Sequence, residues 1–139
     1  MAGKWATKPS TVAYNDAAQR KVTGYTRCAN FTAVKNAIAS GTPVIVGFTV
    51  YSSFEGPANN NTGMMPYPNA TREQLLGGHA VCIVGYNDNL NNTGRGYFIV
   101  RNSWGTGWGQ NGYFYMPYQV IQDTDMSDDF WIITSISNP

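Results

Sequence analysis

The sequence is short of the side chains on which most chemistry depends. Its 139 residues include one histidine, two cysteines and 12% charged residues, with nine Lys plus Arg against eight Asp plus Glu. So even a balance leaves no basic stripe to meet a phosphate backbone, and nucleic acid is not an expected partner. No apolar run approaches the ~18 residues of a membrane helix, so no membrane partner is expected either. The opening residues, MAGKWATKPS, lack the apolar segment of a secretory signal, and localisation stays open. No glycine-rich phosphate loop joins a strand to a helix, which gives no reason to expect a nucleotide cofactor. The acidic stretch DTDMSDD at 123–129 has hard oxygen ligands but neither the spacing nor the glutamate of an EF-hand loop. It reads as a solvated connection, and no metal is expected.

What the sequence does contain is enough for a compact core. With 42% hydrophobic and 14% aromatic residues, a chain of this length reads as one domain, 1–139, with 1–10 irregular and Trp5 as a packing anchor. Polar helix or turn over 11–26 should lead into a brief strand at Val22–Thr26. Asn30–Ser40 is the clearest helix: Asn30 caps it, Phe31, Val34 and Ile38 share a face, and Gly41 stops it. Val44–Tyr51 is a strand-forming run with little alternation, which predicts burial on both faces. Residues 52–78 read as a long loop. Gly112–Met116 is another strand, Tyr118–Gln122 a helical turn, and Phe130–Ile136 a closing strand at the sheet edge. The fold class is α+β, built on an antiparallel sheet.

The stretch that organises the rest is Gly77–Gly112. The only histidine, His79, begins one run of β-formers, and Gly96–Asn102 is a second, separated from the first by turn-forming residues. They read as an antiparallel hairpin. Pairing Tyr86 with Arg95 places Val84 opposite Tyr97, Val81 opposite Val100 and His79 opposite Asn102. An amide oxygen there can fix the tautomer and direction of the imidazole and leave its other nitrogen facing a cleft. A lone histidine on a strand is ordinarily structural. Here NSWGTGWGQNGY follows at 102–113, placing two tryptophans among four glycines, which suits covering a buried polar pair.

GGHAV followed by RNSWGTGWGQNGYF resembles the papain-like cysteine peptidases. The phrases GFTVYSSFEG and PYQVIQDTDMSDDFW are similar to the family's bacterial branch. The resemblance implies the right-hand, partly barrel-like β-domain of that fold, with one main packed helix. It implies His79 as general base and acid, Asn102 as its orienter, and Trp104, supported by Trp108, as the shield over their hydrogen bond. It also implies that the strand of Gly47 lines the substrate cleft, with Gly47 near the second specificity pocket, although a bulge or a close helix contact accounts for that glycine equally well; Gly77 and Gly78 would let backbone or substrate come close beside His79.

The family's nucleophile lies in C-G-[SA]-C-[WY], about 130–150 residues before the His and Asn. Counting back from His79 lands about 50 residues before Met1, so the cysteine and the oxyanion-site glutamine are not in this sequence. Cys82, three residues after His79, points to the other face of the strand. Cys28 has no catalytic counterpart, and both cysteines read as small hydrophobes. The four N-x-S/T sites, Asn30, Asn60, Asn69 and Asn91, read as chance matches. The expectation is half of a peptidase, acting on peptide or protein substrates, inactive alone, and completed by a Cys-bearing helical half or self-associating through its cleft face. The alternative is a binding module or pseudoenzyme without chemistry.

Overall fold

The computed structural model describes residues 6–92 and 94–137. Trp5, the expected anchor, lies outside them. Contacts divide the chain into two units, Arg27–Ile132 and a smaller one joining the described residues before 27 with those after 132. The elements are α1 (Thr11–Ala17), β1 (Val22–Arg27), α2 (Phe31–Ala39), β2 (Val44–Tyr51), α3 (Pro57–Thr62), β3 (Leu75–Asn87), β4 (Tyr97–Arg101), β5 (Tyr113–Pro117), α4 (Tyr118–Gln122) and β6 (Ser127–Ile136). The strands form one sheet in the order β1-β6-β2-β3-β4-β5, and β2 with β3, β2 with β6, β3 with β4 and β4 with β5 pair antiparallel.

In the smaller unit, α1 starts at Ser10, whose hydroxyl accepts from Ala13 N, and buries none of its side chains. Ser137 Oγ accepts from Lys21 N at 2.7 Å, and the Thr23 and Ser135 hydroxyls meet at 2.8 Å.

The larger unit holds the core. Asn30 Oδ1 accepts from Ala33 N, capping α2, and Gly41 follows the helix at φ +83°. Val34 and Ile38 on one face of α2 are buried with Val44, Val46, Phe48, Ile83, Phe98, Val100 and Phe114. Lys35 on the same helix pairs with Asp88, which also accepts from the Tyr118 hydroxyl at 2.8 Å. Burial, and after it the hydrogen bond to Asp88, pushes the Tyr118 phenol well above its ordinary range.

Four expectations are corrected. β2 is not covered on both faces: Val44, Val46, Phe48 and Val50 are buried, whereas Ile45 on the other face is 40% exposed. The 52–78 connection is not featureless, because Pro57 starts a short helix and Gly63 ends it in the left-handed region. β3 begins at Leu75, four residues before His79. β6 is not an edge strand; it lies between β1 and β2, and the edges are β1 and β5. A periodicity argument sees which face is apolar but not which strand is the neighbour.

The Asp88 contact yields a test. The hydrogen bond from Lys35, then that from Tyr118, holds the Asp88 carboxyl below the usual carboxylate range. A depressed acid contributes stability that is present above its unfolded pKa, about 3.9, and is lost as pH falls through the lower folded value. Thermal midpoints should therefore drop below about pH 4, and less steeply in Asp88→Asn. Equal slopes for the two proteins would count against this linkage.

Candidate active site

The hairpin that presents the site is β3 paired with β4, but not in the expected register. The pairs are Cys82 with Arg101 and Ile83 with Val100, then Gly85 with Ile99 and Tyr86 with Phe98, with a bulge between Ile83 and Gly85. The expected pairing of Val81 with Val100 is two residues out, and the bulge changes the index sum partway along the ladder. The two polar side chains nevertheless meet: His79 Nε2 and Asn102 Oδ1 are 2.9 Å apart. Continuing the observed register beyond Arg101 sets Asn102 across from Val81. His79 and Val81 share a face, so the contact is a diagonal one, which long side chains readily make.

Asn102 is fixed by its backbone, which donates to Gly112 O at 2.9 Å, and its Oδ1 also accepts from Ser103 N at 2.8 Å. Its amide is buried, and among the described residues Nδ2 has no hydrogen-bond acceptor. Leaving a buried donor unmade costs about 1–3 kcal/mol. The oxygen, not the nitrogen, is therefore the end of this amide that the structure uses. None of the described residues hydrogen-bonds Nδ1 of His79, so that edge of the ring is available to another group.

Rings close over the pair. Trp104 stacks on His79 with centroids 5.3 Å apart and planes 22° from parallel, and Trp108 meets Trp104 edge-on at 5.1 Å. Phe54, fully buried, touches His79, Trp104 and Trp108, while Phe48 pairs across the strands with His79. Aromatic pairs of this kind contribute about 0.5–1.5 kcal/mol each beyond their buried area. Trp108 Nε1 donates to Asn60 Oδ1 on α3 at 2.7 Å. The sequence noted Asn60 only as a glycosylation match; its place under the tryptophan loop depends on α3, which periodicity over so short a segment does not reveal.

Beside His79 runs a groove of about 490 Å3 lined by Gly47, Phe48, Thr49, Gly78, Ala80 and the stretch 124–129. Gly47 and Gly78 line this groove, and Gly77 is not among its lining residues. It sits at a bulge between β2 and β3 with φ +140°, a conformation that side chains disfavour. The β2 to β6 pairing also shifts between Ile45 and Gly47. A Cβ on Gly47 would meet only Asp128 O at an ordinary 3.5 Å, so the bulge does not itself demand glycine.

Neither cysteine has the surroundings of a nucleophile. Both are free thiols; Cys28 is buried and Cys82 partly so. Burial raises both thiols above their ordinary range, and at Cys82 the nearby Arg101 opposes this only in part. A thiol pushed up is less ionised and less reactive.

The family model of the papain family cysteine proteases matches residues 4–133. The chain belongs to that family. It is 40% identical to an uncharacterized peptidase C1-like protein of Acanthamoeba polyphaga mimivirus, over 98% of this chain and 45% of that protein. It is 34% identical to cathepsin B-like cysteine proteinase 4 of Caenorhabditis elegans, over 88% of this chain and 32% of the proteinase. Among solved structures it superposes on xylellain, a cysteine protease from Xylella fastidiosa, with a TM-score of 0.78 and 41% identity, over 95% of this chain and 46% of that one. The chain thus spans less than half the length of these relatives, and it matches their C-terminal part.

The tryptophan loop is the part of the site most open to a single change. Gly109 has φ +57°, and a Cβ there would lie 2.5 Å from Tyr113 O. Gly109→Ala should cost about 1–3 kcal/mol and loosen both indoles. The measurement is a urea midpoint followed by tryptophan fluorescence; an unchanged midpoint and spectrum would show that the loop tolerates the side chain.

Proposed function

We propose that this chain carries the base and orienter of a cysteine peptidase whose nucleophile lies on a Cys-bearing helical half outside these residues. The observation that carries the reading is the imidazole hydrogen-bonded through Nε2 to Asn102 Oδ1 at 2.9 Å, stacked against Trp104, with no hydrogen bond to Nδ1 among the described residues. Family membership supports it.

In the complete enzyme a cysteine thiolate beside Nδ1 attacks the substrate carbonyl carbon, and the C–N bond breaks as protonated His79 gives its proton to the leaving amine. His79 then takes a proton from water, which attacks the thioester and releases the acid and the thiolate. Asn102 keeps the ring in plane with both steps. Glycines 47 and 78 leave the groove beside His79 open for substrate side chains. The 139 residues alone are inactive, because they supply a base with nothing nearby for it to activate.

The same reading accounts for the uncovered face of β2 and β3. Ile45, Ala80, Cys82 and Val84 lie there together, with Ile45 and Val84 each 40% exposed. Adjoining apolar surface of this kind marks an interaction site. Its occupant is the helical half or, without it, a second copy of the chain.

Two measurements test the proposal. Mixed with the Cys-bearing half of a related cysteine protease, the chain should hydrolyse a peptide substrate. His79→Ala should remove about 10²–10⁴-fold of that rate, and Asn102→Ala a smaller factor. Association without any hydrolysis would favour a binding module over a peptidase. Light scattering of the chain alone should report self-association, and a strictly monomeric chain at high concentration would argue against the open interface.

A further inference from the structure

We propose that Asn60 is a positioning residue for His79, acting through the two tryptophans. The inference rests on the reading of His79 as the reacting base, and adds a residue from a separate element to the machinery that holds it.

The helix α3 has six residues and contributes one side chain, Asn59, to the buried set, so it is not there to fill the core. Its polar groups explain it better. Asn59 Nδ2 donates to Phe54 O at 2.8 Å, fixing the backbone of the ring packed beneath His79. Asn60 engages three groups at once: Oδ1 accepts from Trp108 Nε1 at 2.7 Å, the backbone oxygen accepts from Gly109 N at 2.8 Å, and Nδ2 donates to Glu55 O at 2.7 Å. Two of the three reach into the tryptophan loop. The third ties the amide to its own segment, so that Oδ1 faces the indole in one orientation.

From Asn60 the contacts lead to the imidazole in two steps. Trp108 stands edge-on to Trp104 at 82°, and Trp104 lies flat on His79. Trp104 is 42% exposed, so packing from above does not hold it; Trp108 and Phe54 support it from the side. An indole N–H that loses its acceptor in such a place turns toward water. Trp108 would swing, Trp104 would lose its edge contact, and water would reach the His79 to Asn102 hydrogen bond. That bond is stronger in a dry surrounding than a wet one.

The test uses the chain's single histidine. Exchange of the His79 Nε2 proton with water is followed by NMR in the 139-residue protein, with near-ultraviolet circular dichroism reporting the fold of each variant. Asn60→Leu should speed exchange about tenfold, as losing one hydrogen bond of ordinary net strength does. Asn60→Asp, which keeps an oxygen for the indole, should stay within about threefold of wild type. Trp108→Phe should match Asn60→Leu, and the double variant should be no faster than either, because both remove one contact. Unchanged exchange in folded Asn60→Leu would overturn the proposal, as would Asn60→Asp behaving like Asn60→Leu. If Asn60→Leu does not fold, Trp108→Phe decides, and unchanged exchange there overturns it. The readout needs neither thiol nor substrate. Failure of the chain to form an active peptidase is therefore distinct from failure of this inference.

Discussion

One hydrogen bond, between an imidazole nitrogen and a carboxamide oxygen, sets the requirements for the rest of the larger unit. By itself it is weak: a neutral pair of this kind contributes about 1 kcal/mol net. It cannot hold two side chains in one geometry against their rotamer freedom. The geometry is imposed from outside, by a strand pairing that brings His79 and Asn102 into diagonal reach and by rings that close the remaining directions. The backbone bond from Asn102 N to Gly112 O ties Asn102 to the end of the tryptophan loop.

The covering rings are arranged unevenly around the imidazole. Phe48 and Phe54 are buried beneath it, in continuity with Phe114 and the core, while Trp104 lies over it at the surface. The lower side is held by packing, where a displaced ring would leave a cavity. On the upper side Trp104 stays exposed and meets Trp108 edge-on, and Trp108 in turn donates to Asn60 on α3. Among the described residues no hydrogen bond reaches Nδ1 of His79. The chain's own two thiols, both raised by burial, are poorly ionised and unsuited to pair with that nitrogen.

How much of this was legible in the sequence follows from what each signal measures. The helix at Phe31–Ala39 was plain because its cap, its face and its stop residue are all local. The strand Val44–Tyr51 was plain in extent but not in surroundings. A strand-forming run with little alternation reads as covered on both faces, whereas the structure buries alternate side chains and leaves Ile45 exposed. The meeting of His79 with Asn102 was foreseen through a register two residues in error. It survived because Asn102 follows the last residue of β4 and His79 shares a face with Val81, across from it, so the ring can reach diagonally. The bulge at Val84 could not be foreseen, since nothing in IVGYN distinguishes a straight ladder from one with an extra residue. The neighbours of β6 and the bonds from Asn60 to the tryptophan loop were hidden for another reason: they depend on contacts 48 or more residues apart in the chain, to which local pattern is blind.

The central claim concerns which nitrogen of one ring is held, and the sequence makes this simple to ask because only one imidazole is present. A two-bond proton to nitrogen-15 correlation spectrum of the labelled chain, recorded where the ring is neutral, reports the tautomer directly. The account predicts the proton on Nε2, directed at Asn102, with Nδ1 bare and a nuclear Overhauser contact from the ring to the Trp104 indole. A proton on Nδ1, or a ring with no contact to Trp104, would contradict it.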